Sequence, residues 1–224
     1  MKSATLFSAL VLVFGVAQAA PYPYAQLTER AAPGVPSGED AKTKLAKIRV
    51  LASTSGDGYS RKLFPHWKEQ SDGCNTREDV LKRDGTSVQV DKKCAATAGT
   101  WVCPYSGKTF TKSSDMDIDH MVPLKNAWIS GASSWTTEKR GDFANDLKNP
   151  QLWAVNDRVN EAKSDASPDK WKPALTSFYC TYASAWVEVK SVWDLTITDA
   201  EKATLGQMLD TCGGNSTQPA GSRL

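Results

Sequence analysis

The sequence predicts an α+β fold: a single disulfide-stabilised domain in which a few short strands are surrounded by helices. Apolar residues recur at helical spacing in several long segments, whereas the segments with strand character are short. Residues 39–212 have the length of one ordinary domain, and the chain's eight tryptophans supply bulky side chains for its core. Five cysteines provide the means of cross-linking it.

Residues 1–19 have the features of a secretory signal peptide. Lys2 gives a short positive start, residues 4–16 form an uncharged apolar run, and residues 17–19 read Ala-Gln-Ala, a small-x-small cleavage site. The apolar run is too short to span a bilayer, although a retained anchor is the alternative. We therefore expect an exported protein with no membrane partner.

The two ends of the mature chain have little core-forming material. Residues 20–38 carry four prolines and are predicted to be a flexible lead or pro-segment. Residues 213–224 are predicted to be a flexible tail that follows the domain and carries a glycosylation sequon at Asn215.

The five cysteines are expected to form disulfides rather than a zinc cluster, because the chain is predicted to be exported and has no Cys-x-x-Cys spacing. The pairing is open from the sequence. We favour Cys180 with Cys212, joining two C-terminal helices, and Cys74 with Cys94, which leaves Cys103 as a free thiol.

Local patterns predict the first half of the domain. A helix is expected over 39–52, where Leu45 and Ile48 share a face, and a second over 76–82, begun by a capping box of Thr76 and Asp79. Short strands and one turn follow: strands at 88–91, 100–103 and 108–112, with the turn at 104–107.

The second half contains the polar segments. A strand over 116–120 is expected to run into a loop at Pro123, and another strand is expected over 151–155. Helices are predicted at five places: 124–129, after a cap at Thr136 or Thr137, after a cap at Asn156 or Asp157, over 176–193 and over 198–209.

The chain has two histidines, and their surroundings differ. His66 lies among large apolar residues, which favours a buried, hydrogen-bonded side chain. His120 follows three closely spaced carboxylates, Asp115, Asp117 and Asp119. Acids packed this closely repel one another unless water or a cation neutralises them, so either a solvated acidic loop or a metal site is indicated.

Calcium binding of the EF-hand type does not fit these acids. If Asp115 is the first ligand, the sixth position needs glycine and holds His120, and the twelfth needs glutamate and holds Asn126. Further along, Asn149 and Asn156 are explained as turn and cap residues, but Asn160 lies inside a predicted helix, where asparagine has low propensity.

Three elements, in the same order along the chain, resemble HNH (ββα-metal) nucleases. The first is residues 117–124, which read Asp-Ile-Asp-His-Met-Val-Pro-Leu. The second is Asn149, before the second strand, and the third is the helix of residues 156–165 with its Asn-x-x-Lys motif. Other motifs are similar to secreted HNH-type endonucleases of fungi and filamentous bacteria, including residues 74–77, 104–107 and 140–146. The resemblance implies a ββα-metal core within the α+β domain.

By this resemblance, His120 is the general base that activates water. Asp119 and Asn160 are the metal ligands, and their oxygen atoms suit Mg²⁺, or Mn²⁺ as the second choice. Asn149 is expected to hold the imidazole or its loop.

Four further residues have supporting roles. Lys163 is expected to contact a phosphate or stabilise charge in the transition state, although a solvated lysine is an equal alternative. Arg77 and Arg140 are candidates for backbone phosphate contacts, with structural salt bridges as the alternative. Asp117 is expected to orient the metal site without binding the metal itself.

The formal net charge of +2 does not by itself indicate a nucleic-acid partner, so the prediction of such a partner depends on the residues of the local site. The function expected is that of a secreted, monomeric, metal-dependent endonuclease that cleaves DNA, and RNA as a second substrate, through backbone contacts with little base specificity. The alternatives are an inactive secreted binding protein or effector on the same fold, and sugar hydrolysis by paired carboxylates, which leaves His120 and Asn160 unexplained.

Overall fold

The computed structural model describes residues 32–213. The predicted signal peptide, the sequon and nearly all of the predicted tail lie outside these residues. The described part contains seven α-helices: α1 (Gly38–Lys47), α2 (Thr76–Asp84), α3 (Leu124–Ile129), α4 (Thr137–Ala144), α5 (Asp157–Lys163), α6 (Tyr179–Val192) and α7 (Asp199–Leu209). It also contains five strands: β1 (Gly85–Val90), β2 (Ala96–Val102), β3 (Thr109–Phe110), β4 (Met116–His120) and β5 (Leu152–Asn156). The α+β prediction is confirmed.

The strands form two small antiparallel sheets. The first has the order β1-β2-β3, and the second is the pair β4-β5, in register from Met116 opposite Asn156 to His120 opposite Leu152. Helix α5 begins directly after β5 and packs against both strands of the pair. The chain thus builds a strand–strand–helix unit at its centre.

Two apolar cores support this unit. The larger lies around α6, which is buried along most of its length, and includes the β5 residues Trp153 and Val155. The smaller lies beneath β4, where Met116 and Ile118 pack with Trp101 and other residues of α2 and the first sheet. Because side chains alternate along a strand, Asp117 and Asp119 then lie on the opposite side of β4 from Met116 and Ile118.

The ordered domain begins earlier than predicted. Ala32 is buried and Val35 packs against the larger core, so at least residues 32–38 of the predicted flexible lead are part of the domain. Ser37 caps α1 by accepting from the backbone N–H of Asp40 at 3.1 Å. Helix α1 also ends sooner than expected, at Lys47, because Val50 then pairs with Ile197 in an isolated parallel bridge.

The predicted cap of α2 was wrong by one residue. Asn75, not Thr76, caps the helix, its side chain accepting from the backbone N–H of Glu78 at 3.0 Å. Thr76 instead turns inward, and its hydroxyl donates to the Lys68 carbonyl and to the side chain of Asn145. The Thr76 hydroxyl therefore makes tertiary contacts instead of capping the helix, and the local sequence pattern does not reveal them.

Both favoured disulfides are present. Cys74 is bonded to Cys94 and Cys180 to Cys212, with Cα–Cα distances of 5.4 and 5.0 Å. Cys103 is a buried free thiol. Within residues 32–213, no helix has both the length and the hydropathy needed to cross a membrane.

Candidate functional site

A cleft of about 170 Å³ opens where β4 ends and α3 begins. Its walls are formed by Arg61, Ile118, Asp119, His120, Pro123, Leu124, Asn160, Ser164 and Asp165. Three residues predicted for the site, Asp119, His120 and Asn160, therefore share one cleft. The strand–strand–helix unit brings them together, because β4 supplies the first two and α5 supplies the third.

The ring of His120 is buried and held by a main-chain carbonyl. Its Nε2 lies 3.0 Å from the carbonyl oxygen of Ala144, at the end of α4. Because a carbonyl can only accept, Nε2 carries the proton of the neutral ring, and Nδ1 keeps its lone pair. Burial lowers the pKa of His120 to about 3, so the imidazole is neutral near pH 7. The geometry leaves Nδ1 able to take up a proton.

Trp67 holds the same ring from one side. Its indole stacks on the imidazole of His120, with 5.7 Å between ring centroids and 20° between ring planes. Its backbone has a φ of 60°, a conformation rarely adopted by bulky residues, so the surrounding structure must impose it. Neither Trp67 nor Ala144 was identified from the sequence, where the aromatic run was interpreted only as the surroundings of His66.

His66 itself is partly buried and bonded to the main chain. Its Nδ1 lies 2.8 Å from the carbonyl oxygen of Phe64, and its ring meets that of His120 edge-on at 6.5 Å. The predicted hydrogen bond is therefore present, but the side chain is only half-buried.

Asp119 is buried in a network that extends into the larger core. One carboxylate oxygen accepts from the hydroxyl of Tyr105 at 2.5 Å and the other from the ammonium of Lys163 at 2.9 Å. Burial raises the pKa of Asp119 and lowers that of Lys163, and the attraction between the two charges opposes both shifts. Lys163 also donates to the carbonyl oxygen of His120 at 2.9 Å, so it fixes the end of β4.

This placement corrects the prediction for Lys163. The side chain is completely buried, so it is neither a solvated helix lysine nor in position to touch a phosphate. It lies inward because α5 packs on β4 with this side chain facing the core. Its ammonium neutralises the buried carboxylate of Asp119 instead.

Asn160 is oriented by Asp117. The side-chain amide of Asn160 donates to a carboxylate oxygen of Asp117 at 3.1 Å. With its nitrogen used in this way, the carbonyl oxygen of the same side chain is left as the group that can bind a ligand.

The donor set fits a hard divalent cation. Asp119 and Asn160 offer oxygen atoms to one cleft, and each carboxylate oxygen of Asp119 retains acceptor capacity beyond its single hydrogen bond. Such a pair suits Mg²⁺ or Mn²⁺, which keep several waters when protein ligands are few. Elsewhere in the described part of the chain, Asp72, Cys74 and Asp79 lie together, but the sulfur of Cys74 is in a disulfide and cannot serve as a thiolate ligand.

Asn149 does not bond to the imidazole. Its side-chain amide donates to Asp146 at 2.8 Å, and Asp146 also accepts from the Asn149 backbone and from Trp193. Asn149 therefore braces the loop between α4 and β5, and the carbonyl of Ala144 holds His120 in its place.

The two predicted phosphate-binding arginines are both engaged within the protein. Arg77 donates to Glu78 and to the carbonyl of Met116, and its side chain is partly exposed. Arg140 is buried and donates to the carbonyls of Leu63 and Trp135. Because Arg140 is buried and its donors are used on the main chain, its role is structural.

The chain resembles one known family. Residues 75–208 match the family model described as "GmrSD restriction endonucleases, C-terminal domain". A protein of Arthroderma benhamiae, described as an uncharacterized secreted protein, is 58% identical over 180 residues, which cover 80% of this chain and 88% of the relative. No solved structure gives a significant match. The matched segment contains Asp119, His120 and Asn160, whereas Trp67 precedes it.

Proposed function

Because this chain belongs to the family of GmrSD restriction endonuclease C-terminal domains, we propose that it is a secreted, metal-dependent endonuclease of the HNH (ββα-metal) type. The family supports nuclease activity in general. The finer proposal rests on the β4-β5-α5 unit, which has the order of elements of a ββα-metal core and carries Asp119, His120 and Asn160 on one cleft.

The proposal depends most on the protonation and hydrogen bonding of His120. A neutral ring with its proton committed to the carbonyl of Ala144 presents Nδ1 as the only ring atom able to accept a proton. Deprotonating water near neutral pH requires such a base beside the scissile phosphate. The stacked indole of Trp67 keeps the ring from rotating, which preserves this orientation.

Asp119 and Asn160 would hold the cation. Bound there, Mg²⁺ or Mn²⁺ would supply positive charge to the phosphate and the leaving oxygen. Lys163 and Tyr105 hold Asp119, and Asp117 holds Asn160, so both ligands are fixed by neighbours before a cation arrives. Asn149 would stabilise the loop that leads into β5.

The substrate we propose is DNA, with RNA as the second choice, bound mainly through its phosphates. The cleft is short and polar, and its walls carry no aromatic side chain that could stack on a base, apart from the imidazole of His120. Little base specificity follows, and the active species proposed is a monomer. The protein is secreted: its relative in Arthroderma benhamiae is described as a secreted protein, and its two disulfides fit an extracellular location, where such bonds persist.

Digestion of supercoiled plasmid by the mature protein tests this function. We expect cleavage in Mg²⁺ that stops in excess EDTA, and a His120→Ala variant that folds normally but is at least 100-fold slower, since general base catalysis contributes about 10²–10⁴-fold. A wild-type protein that is inactive with both Mg²⁺ and Mn²⁺ would overturn the proposal in favour of the inactive binding protein or effector.

Two neighbouring residues of α5 provide a matched comparison in the same assay. Asn160→Ala removes a proposed ligand without changing charge, whereas Glu161→Ala removes a charge from an exposed position one residue away. We expect Asn160→Ala to raise the Mg²⁺ concentration needed for half-maximal activity at least tenfold and Glu161→Ala to leave it unchanged. Equal effects of the two variants would remove Asn160 from the metal site.

A further inference from the structure

One wall of the cleft comes from a part of the chain that the family model does not match. The model covers residues 75–208, but Arg61 lines the cleft beside Asp119, His120 and Asn160. We propose that Arg61 binds a phosphate of the nucleic-acid backbone and so completes the site. This inference rests on the proposed function, because it names a residue that would hold the substrate of that same site.

The backbone of Arg61 is firmly anchored although its side chain is exposed. It begins a 3-10 turn, Arg61–Leu63, which Ser60 caps through the backbone N–H of Lys62 at 3.3 Å. The turn ends at Phe64, whose completely buried ring packs edge-on against Phe143 and Trp128. The guanidinium therefore extends from a rigid base, which reduces the conformational entropy lost when it binds a ligand.

Arg140 secures the same turn from inside. Its Nε donates to the carbonyl of Leu63 at 2.9 Å, and its guanidinium lies over the ring of Phe64 at 5.9 Å. Arg140, which the sequence suggested as a phosphate ligand, thus stabilises the turn that positions Arg61.

The charge of Arg61 is not neutralised by the protein. Among residues 32–213 it forms no salt bridge, and its Nε donates to Nε2 of His66 at 3.4 Å, a ring nitrogen that brings no negative charge. The two terminal nitrogens of the guanidinium have no hydrogen-bond partner among these residues. Their planar, forked geometry matches two oxygens of one phosphate.

Arg61 is also the single arginine or lysine among the residues that line the cleft. Arg61 lines the same cleft as His120 and donates to His66, whose ring meets that of His120 edge-on at 6.5 Å between centroids. Asp165 also lines the cleft, and its carboxylate is 4.0 Å from the ammonium of Lys125, which offsets part of its repulsion toward a phosphate. A phosphate drawn to Arg61 would therefore lie beside His120, where the reaction needs it.

Binding of a short fluorescein-labelled DNA duplex, followed by anisotropy in EDTA, tests Arg61 separately from catalysis. All proteins carry His120→Ala, so the probe is not cut. Adding Arg61→Ala should weaken binding about tenfold, the usual effect of one charge-assisted contact. The slope of log affinity against log salt should fall by about 0.9, which corresponds to one phosphate.

Lys62→Ala is the matched control. It removes the same charge from the same turn, one residue away and outside the cleft, so we expect less than a twofold loss. Arg61→Lys should keep the salt slope while losing part of the affinity, because it retains the charge and loses the fork. A structural role for Arg61 would not produce this difference in slope.

The outcomes separate the two proposals. Equal binding by the Arg61→Ala and Lys62→Ala proteins, or no measurable binding by the His120→Ala protein, would overturn the role of Arg61. Plasmid cleavage by the wild-type protein decides the proposed nuclease function independently. Tenfold weaker binding with the lower slope supports Arg61 in either case.

Discussion

His120 combines two features that are not usually found together, a polar ring and almost complete burial. Its exposed fraction is 4%, and the ring is enclosed by Trp67 and by the carbonyl of Ala144. Transferring an imidazolium into such surroundings is unfavourable, so burial is the main cause of its low pKa. The cost of protonating it should be visible in the stability of the fold.

The pH dependence of folding tests this environment. The pKa of His120 is about 3 when folded and near 6.5 in the unfolded reference, so between these values the unfolded state binds more protons. The stability that His120 contributes is therefore complete above pH 6.5 and is lost as the pH falls toward 3. We expect its contribution to the free energy of unfolding to decline by up to about 1.4 kcal/mol per pH unit in that window.

Urea unfolding of the wild-type protein and a His120→Gln variant, both in EDTA, measures this contribution. The charged and titratable groups that lower the pKa of the ring further are Arg61, His66 and Lys163, and all three remain in the variant. The difference in stability between the two proteins should shrink as the pH falls. A difference that stays constant from pH 7 to 4 would show that His120 is accessible to protons in the folded state.

At the scale of elements, two buried ion pairs hold helices in place. Lys163 of α5 meets Asp119 of β4, and Lys190 of α6 meets Glu201 of α7 at 3.3 Å. Lys190 also donates to Ser130 and to the carbonyl of Thr196, so its ammonium joins α6 and α7 to the segment after α3. Burying two charges costs free energy, but substituting one partner costs more, because the other charge then stays buried without a counter-charge.

A Lys190→Met substitution should therefore destabilise the protein by about 3–5 kcal/mol. The remaining carboxylate of Glu201 would keep a hydrogen bond from Trp186 but lose its counter-charge. Denaturant unfolding checks this value, with the exposed Lys172→Met as a control that should change stability by less than about 0.5 kcal/mol. The double variant with Glu201→Gln should recover part of the loss, and a single variant as stable as the control would contradict the argument.

Across the whole molecule, the two disulfides cross-link segments that lie 20 and 32 residues apart in the chain. Cys94 lies in the loop between β1 and β2 and is bonded to Cys74, just before α2. Cys212, after α7, is bonded to Cys180 near the start of α6, and Gly38 of α1 packs against this bridge. A Cβ at Gly38 would lie 2.4 Å from the Cβ of Cys212, so glycine is required for this contact.

Removing the second disulfide should lower the free energy of unfolding by about 3–4 kcal/mol, the entropy effect expected for a closed loop of this length. The sequence separation of its cysteines is 32. A Cys180→Ala and Cys212→Ala double variant measured by thermal and urea unfolding provides the value, and Cys103→Ala controls for loss of a cysteine as such. A loss below about 1 kcal/mol would mean that the α1–α6–α7 packing holds without the bridge.

The sequence by itself determined most elements and part of the site. Strand β4 over residues 116–120, the cap at Thr136 and the helix beginning near Thr198 follow from local patterns, because each depends on residues close in the chain. The pairing of the cysteines was open from the sequence, and the structure contains the two favoured disulfides. The grouping of Asp119 and His120 with Asn160 was implied by the resemblance of their motifs to those of HNH nucleases.

Only the tertiary structure decided how those residues are held. Ala144 lies 24 positions from His120, Lys163 lies 44 from Asp119, and Leu63 lies 77 from Arg140, so no local pattern could report these contacts. Whether a lysine or an arginine faces solvent or core depends on how helices pack, since the same helical spacing is compatible with either. For this reason Lys163 was expected at a phosphate or in solvent although it is buried, and the choice between a phosphate contact and a structural role stayed open for Arg140. Arg61 looks like an ordinary surface residue in the sequence, but it lies at the cleft.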